Sequence, residues 1–242
     1  MNVTPAQDRD VIVITGGTGF IGTAVVRTLA ERFRVVAFDC ETSPHPLVVA
    51  ECICIDLTSD DSIATALARL RIAYGDRIAS VIHLAAYFDL TGEPNTKYDE
   101  VTVQGTGRLL RAFQEFELEQ FVFVSTMLVH APSEHGKPIN EDWPLDPKLP
   151  YRESKILTEQ LIREQHGNIP VVLVRPAGIY DDLCHSAFLA HQIARIHERR
   201  LISHFYSANL DIGQPFLHLD DLVDALSRIV ERRNTLPPEL PL

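Results

Sequence analysis

The 242-residue sequence is short of positive charge. Its 22 Lys and Arg residues stand against 33 Asp and Glu residues, so the formal net charge is −11. A negative field of this size opposes approach to phosphate backbones and to anionic lipid. We therefore expect no nucleic-acid partner and no membrane partner.

Long apolar runs are also lacking. The longest charge-free apolar stretch, residues 78–88, is much shorter than the roughly 20 residues that cross a bilayer. The first ten residues are polar and carry both signs of charge, unlike the apolar core of a signal peptide. These absences predict a soluble, cytoplasmic protein.

Cysteine is scarce and has no metal-binding spacing. The four cysteines, Cys40, Cys52, Cys54 and Cys184, include no Cys-x-x-Cys pair. We expect buried thiols, which suit a reducing cytoplasm, and no metal site.

What the sequence does contain is an alternation of short β-branched runs with longer helical patterns. Strands are predicted at 11–15, 34–39, 52–55, 80–84, 121–125 and 171–174, and helices at 21–31, 62–70, 98–116 and 154–164. This order is typical of βαβ units. It predicts an α/β fold, a doubly wound parallel sheet of the Rossmann type.

The rhythm changes after Pro176. We assign residues 1–175 to a dinucleotide-binding domain and 176–242 to a small, partial substrate-binding cap that packs on the same domain. A helix is expected at about 187–200. The final prolines are expected to end the last helix without a further strand. The chain end is either an ordinary frayed terminus or the result of missing C-terminal material.

A glycine fingerprint follows the first predicted strand. Gly16, Gly19 and Gly22 have the spacing G-x-x-G-x-x-G at a strand-to-helix junction. The first glycine permits a tight turn, the second lets a pyrophosphate approach, and the third permits close packing. The helix N-terminus offers N–H groups to the phosphates, and we include Phe20 and Ile21 in this site.

Asp39 ends the second predicted strand, 17 residues after Gly22. A carboxylate there can accept hydrogen bonds from the adenosine ribose and repels a 2′-phosphate. The cofactor is therefore predicted to be NAD rather than NADP.

The predicted chemistry rests on a tyrosine, a lysine and a hydroxyl. Tyr151 and Lys155 are four residues apart on a helical pattern, so they share one face. A neighbouring ammonium favours the phenolate, which predicts a lowered Tyr151 pKa and acid–base catalysis near neutral pH. Thr126 follows a buried strand and can donate to the reacting oxygen.

Together these motifs resemble the extended short-chain dehydrogenase/reductases of the NAD-dependent epimerase/dehydratase family. The resemblance runs from residue 11 to about 226 and rests, in family order, on TGGTGFIG, Asp39, Asp56–Leu57, HLAA, VTVQGTGRLL, VSTMLVHAP, Tyr151-x-x-x-Lys155, RPAGIYD and PFLHLDDLVDA. It implies hydride transfer between a substrate carbon and nicotinamide.

The resemblance also implies individual roles. Asp56 and Leu57 would lie beside the adenine, Ala85 and Ala86 along the cofactor, and Pro176 near the nicotinamide. Lys155 would bind the nicotinamide ribose, Tyr151 would be the acid–base group, and Thr126 would align the substrate oxygen. A homodimer through helices 98–116 and 154–164 is a further implication.

The positions just past the strand ends are expected near the substrate, and they are Phe88, Asp89, Met127, Leu128, His130 and Tyr180. We assign no chemical role to His83 or His130. Met127 and Leu128 replace the acidic pair of the family's dehydratases and cannot exchange protons, which disfavours dehydration.

Three functions follow, in order of preference. The first is an NAD-dependent dehydrogenase or reductase acting on a secondary alcohol or ketone. A nucleotide-sugar 4-epimerase is second, because Gly178 and Gln214 stand where such enzymes commonly have Asn and Arg. A non-catalytic NAD-binding sensor or scaffold is third.

Overall fold

The computed structural model describes residues 9–40, 49–89, 92–133, 136–199 and 213–241. Its strands are β1 (Val11–Thr15), β2 (Arg34–Asp39), β3 (Glu51–Cys54), β4 (Arg77–Ile78), β5 (Ser80–His83), β6 (Glu117–Leu118), β7 (Phe121–Val124), β8 (Val171–Val174), β9 (Gly178–Tyr180), β10 (Phe216–His218) and β11 (Glu239–Pro241). Its α-helices are α1 (Phe20–Leu29), α2 (Asp60–Tyr74), α3 (Gly105–Phe113), α4 (Pro150–Gln165), α5 (Ala187–His197) and α6 (Leu219–Glu231).

Seven strands form one parallel sheet in the order β11-β8-β7-β5-β1-β2-β3. The order reverses direction at β1, so the carboxyl ends of β1 and β5 border the crevice where doubly wound sheets bind their ligands. The predicted fold is confirmed.

Residue alternation along the strands builds two hydrophobic cores. In β1, Ile12 and Ile14 point to the face covered by α1 and α6, whereas Val11 and Val13 point to the face covered by α2, α3 and α4. Because both faces are covered, the central strands are fully buried. This rigid layer fixes the positions of the loops at its carboxyl edge.

The end of the chain differs from the prediction. Strand β11 pairs with β8, so the expectation that no strand follows the last helix is wrong. An edge strand tolerates proline because one side of its backbone needs no partner. Helix α6 packs into the core beside α1, while β9 and β10 form a separate two-stranded sheet. The assignment of a substrate-binding cap within 176–242 stays a prediction.

Two further details depart from expectation. The predicted helix at 98–116 begins as a π-helix, Tyr98–Gln104, and continues as α3. The expectation of buried thiols is wrong, because Cys40 and Cys54 are exposed and the other two cysteines are partly buried. No helix within the described ranges has both the length and the apolar character needed to cross a membrane.

Candidate active site

The turn after β1 places bare backbone at the start of α1. Gly16 has a positive φ of 67°, and its N–H donates to the Phe38 carbonyl at 2.8 Å. A Cβ on Gly22 would stand 2.0 Å from the Gly16 carbonyl oxygen, so a larger residue cannot fit. The third glycine is therefore needed by the turn itself rather than by the strand.

The amino end of α1 is open to an anion. Gly19 is its N-cap, with no side-chain hydrogen bond, and the first turn contains no acidic residue. The first N–H groups of such a helix lack intrahelical partners and carry partial positive charge. Phe20 is partly exposed beside this end, and Ile21 packs against the α1–α6 core.

Asp39 lies directly beside the glycine turn. One carboxylate oxygen accepts hydrogen bonds from the Thr18 N–H at 3.1 Å and the Thr18 hydroxyl at 2.7 Å, and the other accepts from the Cys40 N–H at 2.9 Å. The carboxylate can accept about four hydrogen bonds, so it still has capacity for a ribose hydroxyl. Thr18 is not among the predicted site residues, although it stands inside the fingerprint.

The remaining cofactor residues follow β3 and β5. Asp56 accepts hydrogen bonds from the Thr58 N–H and hydroxyl at 2.8 and 2.7 Å, and these bonds lower its pKa. Leu57 is buried against Gly105. Ala85 and Ala86 are partly buried just past the end of β5, beside the glycine turn. The residues present therefore fit NAD, because an open helix N-terminus and the Asp39 carboxylate lie together at the carboxyl edge of the sheet.

Lys155 occupies the centre of the predicted catalytic set. Only 2% of its surface is exposed, and its ammonium donates to the Val124 carbonyl at 2.9 Å. It lies 5.9 Å from the centre of the Tyr151 ring, which confirms that both side chains share one face of α4. Burial lowers the Lys155 pKa to about 8, although the Glu159 carboxylate opposes this shift.

The Tyr151 phenol departs from the prediction. Its pKa is raised to about 12, first by burial and second by the neighbouring Tyr98. The expectation of a lowered Tyr151 pKa is therefore wrong, because burial and Tyr98 raise it. Positive charge beside the phenol would oppose this shift and favour the phenolate.

Thr126 lies at the carboxyl end of β7, where it caps the short 3₁₀-helix Met127–Val129. Its hydroxyl oxygen accepts from the Leu128 N–H at 3.2 Å, so its hydrogen can be donated to a ligand. The next residue's N–H donates to the Pro176 carbonyl at 2.8 Å, which ties the Thr126 segment to the predicted nicotinamide position.

The predicted substrate residues separate into two groups. The Phe88 ring is 56% exposed and packs edge-on against Tyr151, with ring centres 4.9 Å apart. Leu128 is also exposed, Met127 is partly buried, and the Asp89 carbonyl accepts from the Tyr98 hydroxyl. The exposed side chains among them, Phe88 and Leu128, are apolar.

The second group, His130 and Tyr180, makes contacts within the protein. His130 is buried, with Nδ1 bonded to the Trp143 carbonyl at 2.9 Å and Nε2 within 3.3 Å of Arg175. Both ring nitrogens have partners within the protein, in agreement with the absence of an assigned chemical role, and the expected position of His130 near the substrate stays a prediction. Tyr180 packs against Phe216 and His218 on the paired strands β9 and β10.

A buried ion pair behind α4 was missed. Glu159 binds Arg175 through two contacts, at 2.6 and 3.0 Å, and lies one turn after Lys155. Although burial raises the Glu159 pKa, the Arg175 hydrogen bonds outweigh it and hold the pKa below its usual value. The sequence places Glu159 one helical turn after Lys155, which could have indicated a buried carboxylate near the lysine. Its partner Arg175 lies just after strand β8, so local spacing could not identify the pair.

The model of the NAD dependent epimerase/dehydratase family matches residues 12–240. The chain belongs to this family. Its members are named for their NAD dependence, in agreement with the cradle around Gly16, Gly19 and Gly22.

Similar proteins include two 3 beta-hydroxysteroid dehydrogenases. The type 7 protein of Mus musculus is 32% identical over 209 residues, which cover 76% of this chain and 52% of that protein. The protein of Mycolicibacterium neoaurum is 30% identical over 191 residues, or 73% of this chain and 50% of that protein. The chain thus spans about half the length of these relatives.

Among solved structures, the UDP-glucose 4-epimerase of Thermus thermophilus, in complex with NAD, superimposes with a TM-score of 0.73 at 22% identity. The match covers 95% of this chain and 76% of that chain. At this identity the likeness establishes the fold alone.

Proposed function

We propose that this protein is an NAD-dependent oxidoreductase that interconverts a secondary alcohol and its ketone. The observation that carries the proposal is the buried Lys155 ammonium, held by the Val124 carbonyl 5.9 Å from the Tyr151 ring. A buried ammonium without a directly bonded carboxylate is costly and is typical of a functional site.

The three side chains have distinct roles in this proposal. Tyr151 holds the proton exchanged with the substrate oxygen, and Thr126 donates a hydrogen bond to the same oxygen. Lys155 supplies a positive charge that favours the phenolate. NAD, when bound, supplies the hydride acceptor or donor. Gly16, Gly19, Phe20, Ile21, Gly22, Asp39, Asp56, Leu57, Ala85, Ala86 and Pro176 would hold it.

The raised Tyr151 pKa determines which protonation state the phenol has at neutral pH. With a pKa of about 12, the phenol is protonated at neutral pH and ready to act as the acid in ketone reduction. Alcohol oxidation needs the phenolate, so its kcat/KM rises with pH.

The substrate is proposed to be an alcohol on an apolar skeleton. Exposed Phe88 packs against Tyr151, and exposed Leu128 contacts Thr126 through its backbone N–H. The asparagine of nucleotide-sugar enzymes would be crowded at Gly178, because a Cβ there would lie 3.0 Å from the Phe216 ring and the ring would have to shift. The names of the hydroxysteroid dehydrogenase relatives support this choice over the 4-epimerase.

The protein is further proposed to be a homodimer in the cytoplasm. Its interface would be built from α3 and α4, and Leu157 on α4, which is 44% exposed, would lie in it. A solution mass measurement tests the dimer, and a Leu157→Glu substitution is expected to yield a monomer.

The function is tested by Tyr151→Phe. Removing the proton-carrying hydroxyl is expected to lower kcat by about 10²- to 10⁴-fold while NADH affinity stays within about twofold. Tyr74→Phe is the matched control, since its hydroxyl contacts Glu51 at the opposite edge of the sheet. Activity is read as stoichiometric NADH formation with hydroxysteroids and other secondary alcohols.

Retained turnover in Tyr151→Phe would reject the catalytic assignment. Conversion of a UDP-sugar without net NADH would favour the epimerase, and NADH binding with no turnover in a broad substrate screen would favour the sensor.

A further inference from the structure

A hydrogen-bonded network of buried polar groups runs from β1 through His83 to α3 and the π-helix. The proposed chemistry does not use it. Thr15, His83, Thr102 and Thr106 are all fully buried. The Thr15 hydroxyl lies 2.6 Å from His83 Nδ1, and His83 Nε2 lies 2.8 Å from the Thr106 hydroxyl. The Thr106 hydroxyl in turn donates to the Thr102 carbonyl at 2.5 Å.

The direction of each hydrogen bond follows from the next. Because the single Thr106 hydrogen is donated to Thr102, the Thr106 oxygen must accept from His83 Nε2–H. The neutral His83 ring then accepts at Nδ1 from the Thr15 hydroxyl, whose oxygen accepts from the Ala85 N–H at 3.2 Å. Burial and the nearby Lys155 charge lower the His83 pKa to about 3, so the ring stays neutral.

Thr15 and Thr102, at the two ends of this network, bind the backbone of the segment that follows β5. Thr15 receives the Ala85 N–H, and the Thr102 hydroxyl receives the Tyr87 N–H at 2.9 Å. The His83 hydrogen bonds therefore reach the Ala85 amide through Thr15, and the Tyr87 amide is held by the hydroxyl of Thr102, whose carbonyl accepts from Thr106. The same segment contacts the Gly16 turn on one side and continues to Phe88, which packs on Tyr151.

We propose that His83 is a positioning residue for the cofactor, which fixes the backbone after β5 at Ala85 by hydrogen-bonding Thr15, at the end of β1, to Thr106, at the start of α3. The proposal rests on the NAD site of the proposed function but not on the reaction. Its alternative is that His83 only fills space, since its ring also packs 5.7 and 5.8 Å from those of Phe121 and Phe123.

Two substitutions separate these roles. His83→Phe keeps an aromatic ring but leaves the Thr15 and Thr106 hydroxyls without their partner, and we expect about a tenfold rise in the NADH Kd. His83→Gln supplies an acceptor and a donor and is expected to recover most of the affinity. Hydrogen–deuterium exchange of the peptide 84–89, measured without cofactor, should be faster in His83→Phe and near normal in His83→Gln.

Ser80→Ala is the matched control from the same strand. Ser80 is equally buried and bonds Gln120 at 3.1 Å, but it lies at the amino end of β5. Its loss should lower Tm without changing the NADH Kd or exchange in 84–89. Thr106→Val removes the His83 Nε2 acceptor and should raise the NADH Kd as His83→Phe does, which keeps the test available if the phenylalanine variant does not fold.

A folded His83→Phe or Thr106→Val protein with wild-type NADH Kd and wild-type exchange in 84–89 would overturn the proposal. So would a His83→Gln protein that is no better than His83→Phe. Neither readout needs a substrate, so absence of turnover in the wild type would reject the proposed function and leave this test intact.

Discussion

Two buried cations at opposite ends of the central sheet, Arg233 and Lys155, have different partners. At the amino edge, Arg233 is only 8% exposed and bonds Glu119 at 2.6 Å and Asp10 at 2.5 Å, and Arg77 also bonds Glu119. At the carboxyl edge, the buried Lys155 ammonium bonds the neutral Val124 carbonyl. Paired charge holds the fold together, whereas the weakly compensated charge is available for chemistry.

A departure from α-helical geometry lies beside the carboxyl edge. The π-helix Tyr98–Gln104 places the Tyr98 ring 6.5 Å from that of Tyr151, and such helical segments are frequent at functional sites. A cavity of about 480 Å³ at the amino edge, between Arg77, Gln114 and Asn168, is lined by none of the predicted site residues. This cavity therefore lies away from the proposed active site.

The comparison is tested most strongly by Lys155→Met. The loss of the ammonium beside Tyr151 is expected to lower kcat by at least about 100-fold. Because the methionine no longer buries a charge, the free energy of unfolding should be unchanged or higher by about 1 kcal/mol. Steady-state kinetics and urea denaturation measure both quantities, and a large loss of stability would contradict the contrast.

Arg233→Met is the converse experiment at the amino edge. It leaves Glu119 and Asp10 without their shared partner and should cost about 3 kcal/mol of unfolding free energy while kcat and the NADH Kd stay at wild-type values. Arg228→Met, which removes an exposed pair with Asp224, is the control and should cost less than about 1 kcal/mol. A catalytic defect in folded Arg233→Met would show that the two edges are coupled.

Asp39→Ser probes the cofactor end of the carboxyl edge. Loss of the carboxylate should raise the NADH Kd about tenfold and reduce the preference for NADH over NADPH. Thr18→Val removes the 2.7 Å hydrogen bond to Asp39 but keeps the charge, so it should retain that preference. Tighter binding of NADPH than of NADH by the wild type would refute the predicted selectivity.

The smallest effect is expected in alkaline solution. Lys155 has a folded-state pKa of about 8, below its usual 10.5, so the unfolded chain binds more protons between these values. Its contribution therefore makes stability rise with pH over that window. Relative to Lys155→Met, the wild type should gain about 1 kcal/mol between pH 8 and 9 in urea denaturation, and a relative loss would contradict the assignment.

The sequence predicts best what depends on local pattern. The β-branched runs give β1, β2 and β8 with their observed bounds, and the glycine spacing gives the turn at Gly16. The four-residue spacing also places Tyr151 and Lys155 on one face of α4, because helix geometry alone decides it.

The features that the sequence did not predict depend on partners that are distant in sequence. The Tyr151 pKa is raised partly by Tyr98, which lies on a separate helix far earlier in the chain, and His130 is occupied by Trp143 and Arg175. Strand β11 was missed because its proline-rich sequence becomes a strand only through the free edge of β8. Neither local propensity nor spacing contains this information.

The most direct measurement is a crystal structure with NAD and a substrate ketone or alcohol. We predict that the Tyr151 oxygen and the Thr126 hydroxyl both contact the substrate oxygen, with Lys155 beside the nicotinamide ribose. A complex in which the Tyr151 oxygen points away from the nicotinamide, with the substrate bound elsewhere, would contradict the account.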